Sequence, residues 1–195
     1  MKRLYTGHGI VMPDDGAARI TIDVLHPQRE ALLERRGQKP STSAFDHLVW
    51  TWGATAPFPA NAIAYELEEH GAWLERDTDA PPAAIKSVSF VFRKEGISVD
   101  EFRHHYREHV PVAWEHHLGC SRYVQNDVTR VIGAHAPAAD GFSELWYTTL
   151  DDFVDRHWGH GDASVKAVRA DTEEFIDFSR TFSLIVRPDI TPAGM

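Results

Sequence analysis

The sequence FRHHYREHVP occupies residues 102–111 and lies at the centre of the best-defined pattern in the chain. Just before it, residues 85–92 alternate two sets of side chains that are both largely apolar, which is typical of a strand covered on both faces. Gly96 ends this run. Ser98, with Glu101 three residues later, makes a capping box, the usual sequence signature of a helix start. We therefore predict a strand, a turn and a helix in this order.

The predicted helix carries a histidine on its apolar side. Its apolar positions follow at spacings of three and four, and His109 falls on the same side as Phe102, Tyr106 and Val110. An inward-facing imidazole has two interpretations. It is a general acid/base in an apolar cavity, because histidine titrates near neutral pH, or it is a structural histidine that hydrogen-bonds a carbonyl group.

Pro111 follows this histidine by two residues. A proline has no N–H for the carbonyl four residues earlier, here that of Arg107, and its ring crowds that turn of the helix. We therefore expect a kink or break at residues 108–110, with Pro111 as the first residue of a new helical turn.

This stretch resembles the EthD-like family of the dimeric α+β barrel superfamily. The resemblance comes from the strand, the Lys-Glu-Gly-Ile-Ser turn, the spacing Tyr106-x-x-His109-x-Pro111, and Tyr123. Residues 64–69 also resemble what precedes this core in longer members. The resemblance implies a barrel of two ferredoxin-like units. It also implies an activity of the kind that relatives perform, which is cofactor-free cyclisation, dehydration, decarboxylation or oxygenation of polyketide-like and aromatic substrates.

Composition sets the outer limits on function. The chain has 195 residues, 43% of them hydrophobic, which is enough for a sizeable core. Its formal net charge of −9 argues against nucleic-acid and anionic-membrane partners, which need a basic surface. The single cysteine, Cys120, excludes an internal disulfide and fits a reducing compartment. No signal-like or membrane-length apolar run is present. We expect a soluble, cytoplasmic protein.

The first eighty residues predict strand, helix, strand and strand, at residues 19–25, 28–36, 44–52 and 62–69. The polar, proline-containing residues 76–84 predict a linker. The second half predicts strand-helix-strand-strand-helix-strand, the split βαβ arrangement, with an added helix before the last strand.

The predicted fold class is thus α+β, with two ferredoxin-like units whose antiparallel sheets form an α+β barrel. We assign residues 1–80 to a degenerate unit and residues 81–195 to an EthD-like unit. Each sheet has helices on one face and must cover the other. Either the N-terminal half covers it within one chain, or a homodimer forms on the C-terminal half.

The candidate catalytic residues are His109, Tyr106 as a donor to an oxyanion one turn earlier, and His47, which lies mid-strand among aromatic residues and could equally be a satisfied core histidine. Aromatic strand residues either fill a core or line an apolar pocket inside the barrel. The candidate substrate-binding residues are Tyr123, Trp146, Phe90, Phe92, Trp50, Glu144 and His105.

The histidine spacing also permits a metal hypothesis. His105, His109 and His116 would share one flank of an unbroken helix, but Pro111 disturbs the register and no cysteine or carboxylate completes a set. We therefore predict no metal and no cofactor. The predicted function is acid/base catalysis by a lyase or cyclase on a small hydrophobic, aromatic or polyketide-like substrate. The alternatives are a cofactor-free or haem-dependent monooxygenase and a non-catalytic binding barrel.

Overall fold

The structure, a computed structural model, describes residues 1–7, 16–36, 45–58, 62–73 and 82–188. Within these residues the chain forms eight strands and four helices. The strands are β1 (Lys2–Gly7), β2 (Arg19–Leu25), β3 (His47–Trp52), β4 (Ile63–Trp73), β5 (Ile85–Val91), β6 (Arg122–Ile132), β7 (Gly141–Tyr147) and β8 (Phe182–Pro188). The helices are α1 (Arg29–Arg35), α2 (Val99–His116), α3 (Leu150–Val154) and α4 (Asp162–Thr172).

The eight strands form one closed barrel in the order β1-β3-β2-β8-β5-β7-β6-β4, and all neighbours are antiparallel. The predicted α+β barrel is therefore confirmed in its coarse form. Because strands of both halves complete the circle, the barrel closes within one chain. A homodimer stays a prediction. No helix among the described residues combines the length and apolar character needed to cross a membrane.

The two halves differ in where their helices lie. In the second half α2 connects β5 to β6, which are separated in the sheet by β7. In the first half α1 connects β2 to its direct antiparallel neighbour β3. A split βαβ unit places its helix on a crossover between parallel strands. The first half therefore departs from a ferredoxin-like unit at α1, and β1 was not predicted. Most of the predicted linker lies outside the described residues.

The start of α2 forms as the sequence predicts. The side chain of Ser98 accepts a hydrogen bond from the Glu101 amide at 3.1 Å, and the Glu101 carboxylate accepts one from the Ser98 amide at 2.7 Å. Each bond satisfies an N–H that the helix itself cannot pair. The predicted strand before it is confirmed as β5. The last predicted helix is shorter than expected, because α4 ends at Thr172 rather than near residue 178.

The break predicted at residues 108–110 is wrong, because α2 continues through Pro111 to His116. Packing explains the continuity. Tyr106, five residues before the proline, and Ala113, two residues after it, are fully buried against the sheet. The Tyr106 carbonyl accepts a hydrogen bond from the Gln125 side-chain amide of β6. Contacts on the sheet side therefore hold the helix together where its own ladder is weakest.

The barrel interior is a packed aromatic and aliphatic core. Strand alternation turns one side chain in two inward, and side chains from six strands meet in one buried cluster. Phe90 lies at its centre, with its ring centroid 4.7 Å from that of Phe142 and 4.5 Å from that of Phe182. This interior is a core at the positions where the sequence suggested a ligand pocket.

One end of this interior holds a buried ion network. Lys86 Nζ lies 2.6 Å from Asp23 and 2.6 Å from Glu144. Lys2 Nζ lies 2.6 Å from Glu144 and 2.5 Å from Glu69. Burial alone would raise the pKa of Glu144, but the two ammonium groups lower it below its ordinary value. The network joins strands of both halves.

Candidate functional site

A cavity of about 460 Å³ lies on the outer side of the barrel, between the helices and the strands of the second half. Ligand pockets in proteins commonly have volumes of this size. Small hydroxyl side chains form much of its floor, because β5, β7 and β8 each turn serine outward. They are Ser87, Ser89, Ser143 and Ser183. Helices α2 and α4 form its roof.

His109 lies in the wall of this cavity and is held by a carboxylate. Its Nδ1 lies 2.6 Å from Asp171 Oδ2 of α4, and its ring packs near Phe175, with the centroids 6.2 Å apart. Asp171 is partly exposed, whereas His109 is buried. A carboxylate at Nδ1 favours the tautomer whose Nε2 carries the lone pair. Nε2 is therefore the nitrogen available to accept a proton from a ligand.

Two tyrosines, one from α2 and one from β6, also line the cavity. Tyr106 Oη and Ser143 Oγ are 2.6 Å apart, and Tyr123 Oη accepts a hydrogen bond from Gln125 Nε2 at 3.0 Å. Burial raises the pKa of Tyr106 well above its ordinary value, and it also raises the pKa of Tyr123. Both phenols therefore stay protonated and can act as neutral hydrogen-bond donors.

The opposite end of the cavity contains two more histidines. The rings of His117 and His157 stack with their centroids 4.5 Å apart, and His157 Nδ1 lies 2.7 Å from Tyr147 Oη. Gly119 permits this arrangement, because a Cβ there would lie 2.2 Å from the Asp152 carbonyl oxygen of α3. Burial is the main cause that lowers the pKa of His117, to about 3, and the pKa of His157 well below its ordinary value.

The structure brings together three of the predicted site residues. His109, Tyr106 and Tyr123 all line the cavity. Their placement follows from the helical spacing on α2 and from the alternation of β6, which turns Tyr123 outward toward the helices.

The other predicted site residues do not line this cavity. Trp50, Phe90 and Phe92 belong to the core inside the barrel, because their strand positions turn them inward. Glu144 belongs to the ion network, and Trp146 lies beside it, with Lys86 Nζ 4.5 Å from its ring centroid. His47 and His105 also lie outside the lining of this cavity.

His47 shares its strand face with Val49, opposite Leu48 and Trp50, so it points away from the barrel core. His105 is half-buried on α2, and its ring stacks on Phe175 with the centroids 5.9 Å apart.

The three α2 histidines considered as metal ligands have separate partners. His105 stacks on Phe175, His109 binds Asp171, and His116 Nδ1 lies 3.1 Å from Ser164 Oγ. Elsewhere among the described residues, one group has potential metal ligands close together, namely Glu68, His70 and Asp127. Arg107 already lies 2.5 Å from Asp127 and compensates its charge.

Sequence reasoning missed Asp171, Ser143, His117 and His157. The spacing Phe102, Tyr106, His109, Ala113 continues by four residues to His117, so this histidine could have been found by extending the helical period. Asp171 gave no such signal, because its partner lies 62 residues away in the sequence. Pairing across that distance is set by the packing of α2 on α4.

The arrangement suits proton transfer. It combines, in one cavity, a ring nitrogen oriented by a carboxylate, neutral hydroxyl donors and apolar side chains. Such a site can take a proton from a carbon next to a carbonyl and stabilise the oxyanion that forms.

Part of the chain is similar in sequence to a known protein family. Residues 94–179 match the model of the EthD domain. No protein of curated function matches the sequence. A solved structure of a candidate monooxygenase from Lactobacillus acidophilus NCFM is similar at 10% identity and a TM-score of 0.48, over 96% of this chain and 92% of that one. An anthrone oxidase-like protein is similar at 10% identity and a TM-score of 0.49, over 96% of this chain and 90% of that one.

Proposed function

We propose that residues 94–179, which match the model of the EthD domain, are the catalytic part of a cofactor-independent lyase or cyclase. The substrate class is small, hydrophobic and aromatic or polyketide-like. The observation that carries the proposal is the 2.6 Å contact between His109 Nδ1 and Asp171 in the wall of a cavity of about 460 Å³. This contact leaves Nε2 of a cavity-lining imidazole as the nitrogen that carries the lone pair.

The first step is removal of a proton from a carbon next to a carbonyl group. The proton goes to His109 Nε2, and the electron pair of the C–H bond forms the double bond of an enolate. The carbonyl oxygen gains the negative charge and accepts hydrogen bonds from Tyr106, Ser143 or Tyr123. Asp171 stabilises the imidazolium that results.

The second step uses the same proton. In a dehydration, the imidazolium gives it to a β-hydroxyl group, the C–O bond breaks, and water leaves as the enolate electrons form the new double bond. In a cyclisation, the enolate carbon attacks a second carbonyl group, and the imidazolium protonates the new alkoxide. Both outcomes need only the groups on the cavity wall.

The first step can be tested without the natural substrate. Two-ring aryl ketones such as 1-tetralone have an α-proton that exchanges slowly with solvent and are small enough for the cavity. We expect the wild-type protein in D₂O to accelerate deuterium uptake at that carbon, measured by NMR, and we expect His109→Ala to lose the acceleration while it still binds the ketone.

His104→Ala is the matched control, because His104 lies on the same helix but is exposed. It should keep full exchange activity. Equal exchange rates for wild type and His109→Ala across a panel of such ketones would contradict the proposal and favour a binding module. An oxygen electrode adds a second readout, because oxygen consumption that depends on ketone and protein identifies a monooxygenase instead.

A further inference from the structure

Arg36 brings a guanidinium group to the cavity from outside the EthD domain. It directly follows α1, which packs its Leu32 and Leu33 against the outer face of the second-half strands. Arg36 lines the same cavity as His109. The domain match covers residues 94–179, so this contribution of the first half comes from outside the matched range.

The guanidinium of Arg36 has no counterion in the described parts of the chain. Its neighbour Arg35 lies 3.4 Å from Asp155, whereas no described carboxylate lies within 4.0 Å of Arg36. Arg36 Nε is buried and has no hydrogen-bond partner among those residues. The guanidinium carbon lies 4.5 Å from the ring centroid of Phe153. A partly buried charge without a counterion is costly, so such a group in a cavity wall indicates a ligand of opposite charge.

The neighbouring histidines add polar atoms without adding charge. Burial first, and then electrostatic interaction with His109 and Arg36, lower the pKa of His117 to about 3. Burial and Arg36 also lower the pKa of His157. Both rings are therefore neutral near pH 7. His117 Nδ1 is buried and has no hydrogen-bond partner within the described ranges. This end of the cavity thus combines one positively charged guanidinium with two neutral rings, and Arg36 is the group there that can bind an anion.

We propose that Arg36 forms an anion-binding end of the cavity, beside the neutral rings of His117 and His157, and that the substrate is an aromatic or polyketide-like carboxylate whose acid group binds there. The planar guanidinium matches the two oxygens of a carboxylate. His109 and His117 are eight residues apart, roughly two helical turns, so a two- or three-ring acid held at Arg36 presents its far end to His109. This inference names the substrate class and rests on the proposed function.

Binding of two matched compounds tests the inference. 2-Naphthoate and 2-naphthamide have the same ring system and differ in the charge of one group. Titration calorimetry should show wild-type protein binding the carboxylate about tenfold or more tightly than the amide, the range expected for hydrogen bonds to a charged group. Arg36→Gln should lose this preference and keep its affinity for the amide. Arg35→Gln, the adjacent control, should keep the preference.

Equal wild-type affinity for the two compounds would overturn the inference, whether or not Arg36→Gln folds. A folded Arg36→Gln variant that still prefers the carboxylate would also overturn it. His109→Ala should keep the preference, because the anion-binding end does not include His109. A wild-type protein that prefers 2-naphthoate but exchanges no ketone proton would contradict the proposed function and leave the anion-binding end standing.

Discussion

The barrel interior and the outer cavity both contain buried polar groups, but the two regions differ in whether these groups have partners within the protein. Inside the barrel, Lys2, Lys86, Asp23 and Glu144 are each within 2.6 Å of an opposite charge. In the outer cavity, Arg36 Nε and His117 Nδ1 have no hydrogen-bond partner among the described residues. Satisfied charges are typical of structural networks, and unsatisfied polar atoms in a cavity are typical of binding sites. The difference separates the core of this protein from its candidate site.

The largest expected effect is on catalysis, at His109. His109→Ala should lower the rate of ketone deuterium exchange by about 10²- to 10⁴-fold, the usual contribution of a general base. The free energy of unfolding should change far less than for changes in the barrel network. NMR exchange rates and urea unfolding of the same sample measure both. An exchange rate that His109→Ala leaves unchanged would contradict the assignment of the outer cavity as the catalytic region.

The next effect is on stability, inside the barrel. Glu144→Gln leaves Lys2 and Lys86 without one of their partners, so we expect a loss of about 3–5 kcal/mol in the free energy of unfolding. Guanidinium unfolding measures it, and Glu95→Gln, at an exposed turn position, should stay within about 0.5 kcal/mol of wild type. A Glu144→Gln variant as stable as wild type would show that the network is not structural.

A smaller effect concerns pH. His117 has a folded pKa of about 3 against an ordinary value of 6.5. The unfolded chain therefore binds a proton below pH 6.5 that the folded protein does not, and stability falls as pH falls. We expect His117 to account for about 2 kcal/mol of the stability lost between pH 7 and pH 5.

His117→Gln should flatten that part of the profile by the same amount, as measured by urea unfolding at both pH values. An identical pH dependence in wild type and variant would mean that this imidazole titrates normally. Glu144 adds a separate loss at lower pH, because its folded pKa lies below its ordinary value of 4.5, so below that pH the unfolded chain takes up a proton that the folded protein does not.

The smallest expected effect is on the rate of deuterium exchange when Asp171, which positions His109, is changed. Asp171→Asn should lower deuterium exchange about tenfold, because the amide can hold the wrong tautomer of His109 while water replaces part of the carboxylate's effect at this partly exposed position. Asp171→Glu should restore part of the rate. A tenfold loss that appears as weaker ketone binding, with no change in the exchange rate of the bound ketone, would contradict a positioning role.

Local patterns made much of this fold predictable. The capping box at Ser98, the alternation of β5 and the spacing that placed His109 inward are all properties of nearby residues, and the structure contains each of them. The closure of the barrel was left open between one chain and two, because strand pairing such as β2 with β8 joins residues far apart in the sequence.

The site was predictable in part. His109 and Tyr106 follow from the helical period and Tyr123 from strand alternation, but Asp171 lies on α4 and Arg36 directly follows α1, and nothing in the local sequence indicates that the first contacts His109 or that the second lines the same cavity. The aromatic strand residues were assigned to a pocket because alternation shows that Phe90 and Trp50 share a face of the sheet with other apolar groups, and not whether that face encloses a core or a ligand.

The most direct test of the account is a crystal structure of the wild-type protein with 2-naphthoate. We expect its rings between α2 and the outer face of β5, β7 and β8, with the carboxylate at Arg36 and the far ring edge toward His109. Density for the rings inside the barrel beside Trp50 and Phe90, or outside the cavity altogether, would contradict it.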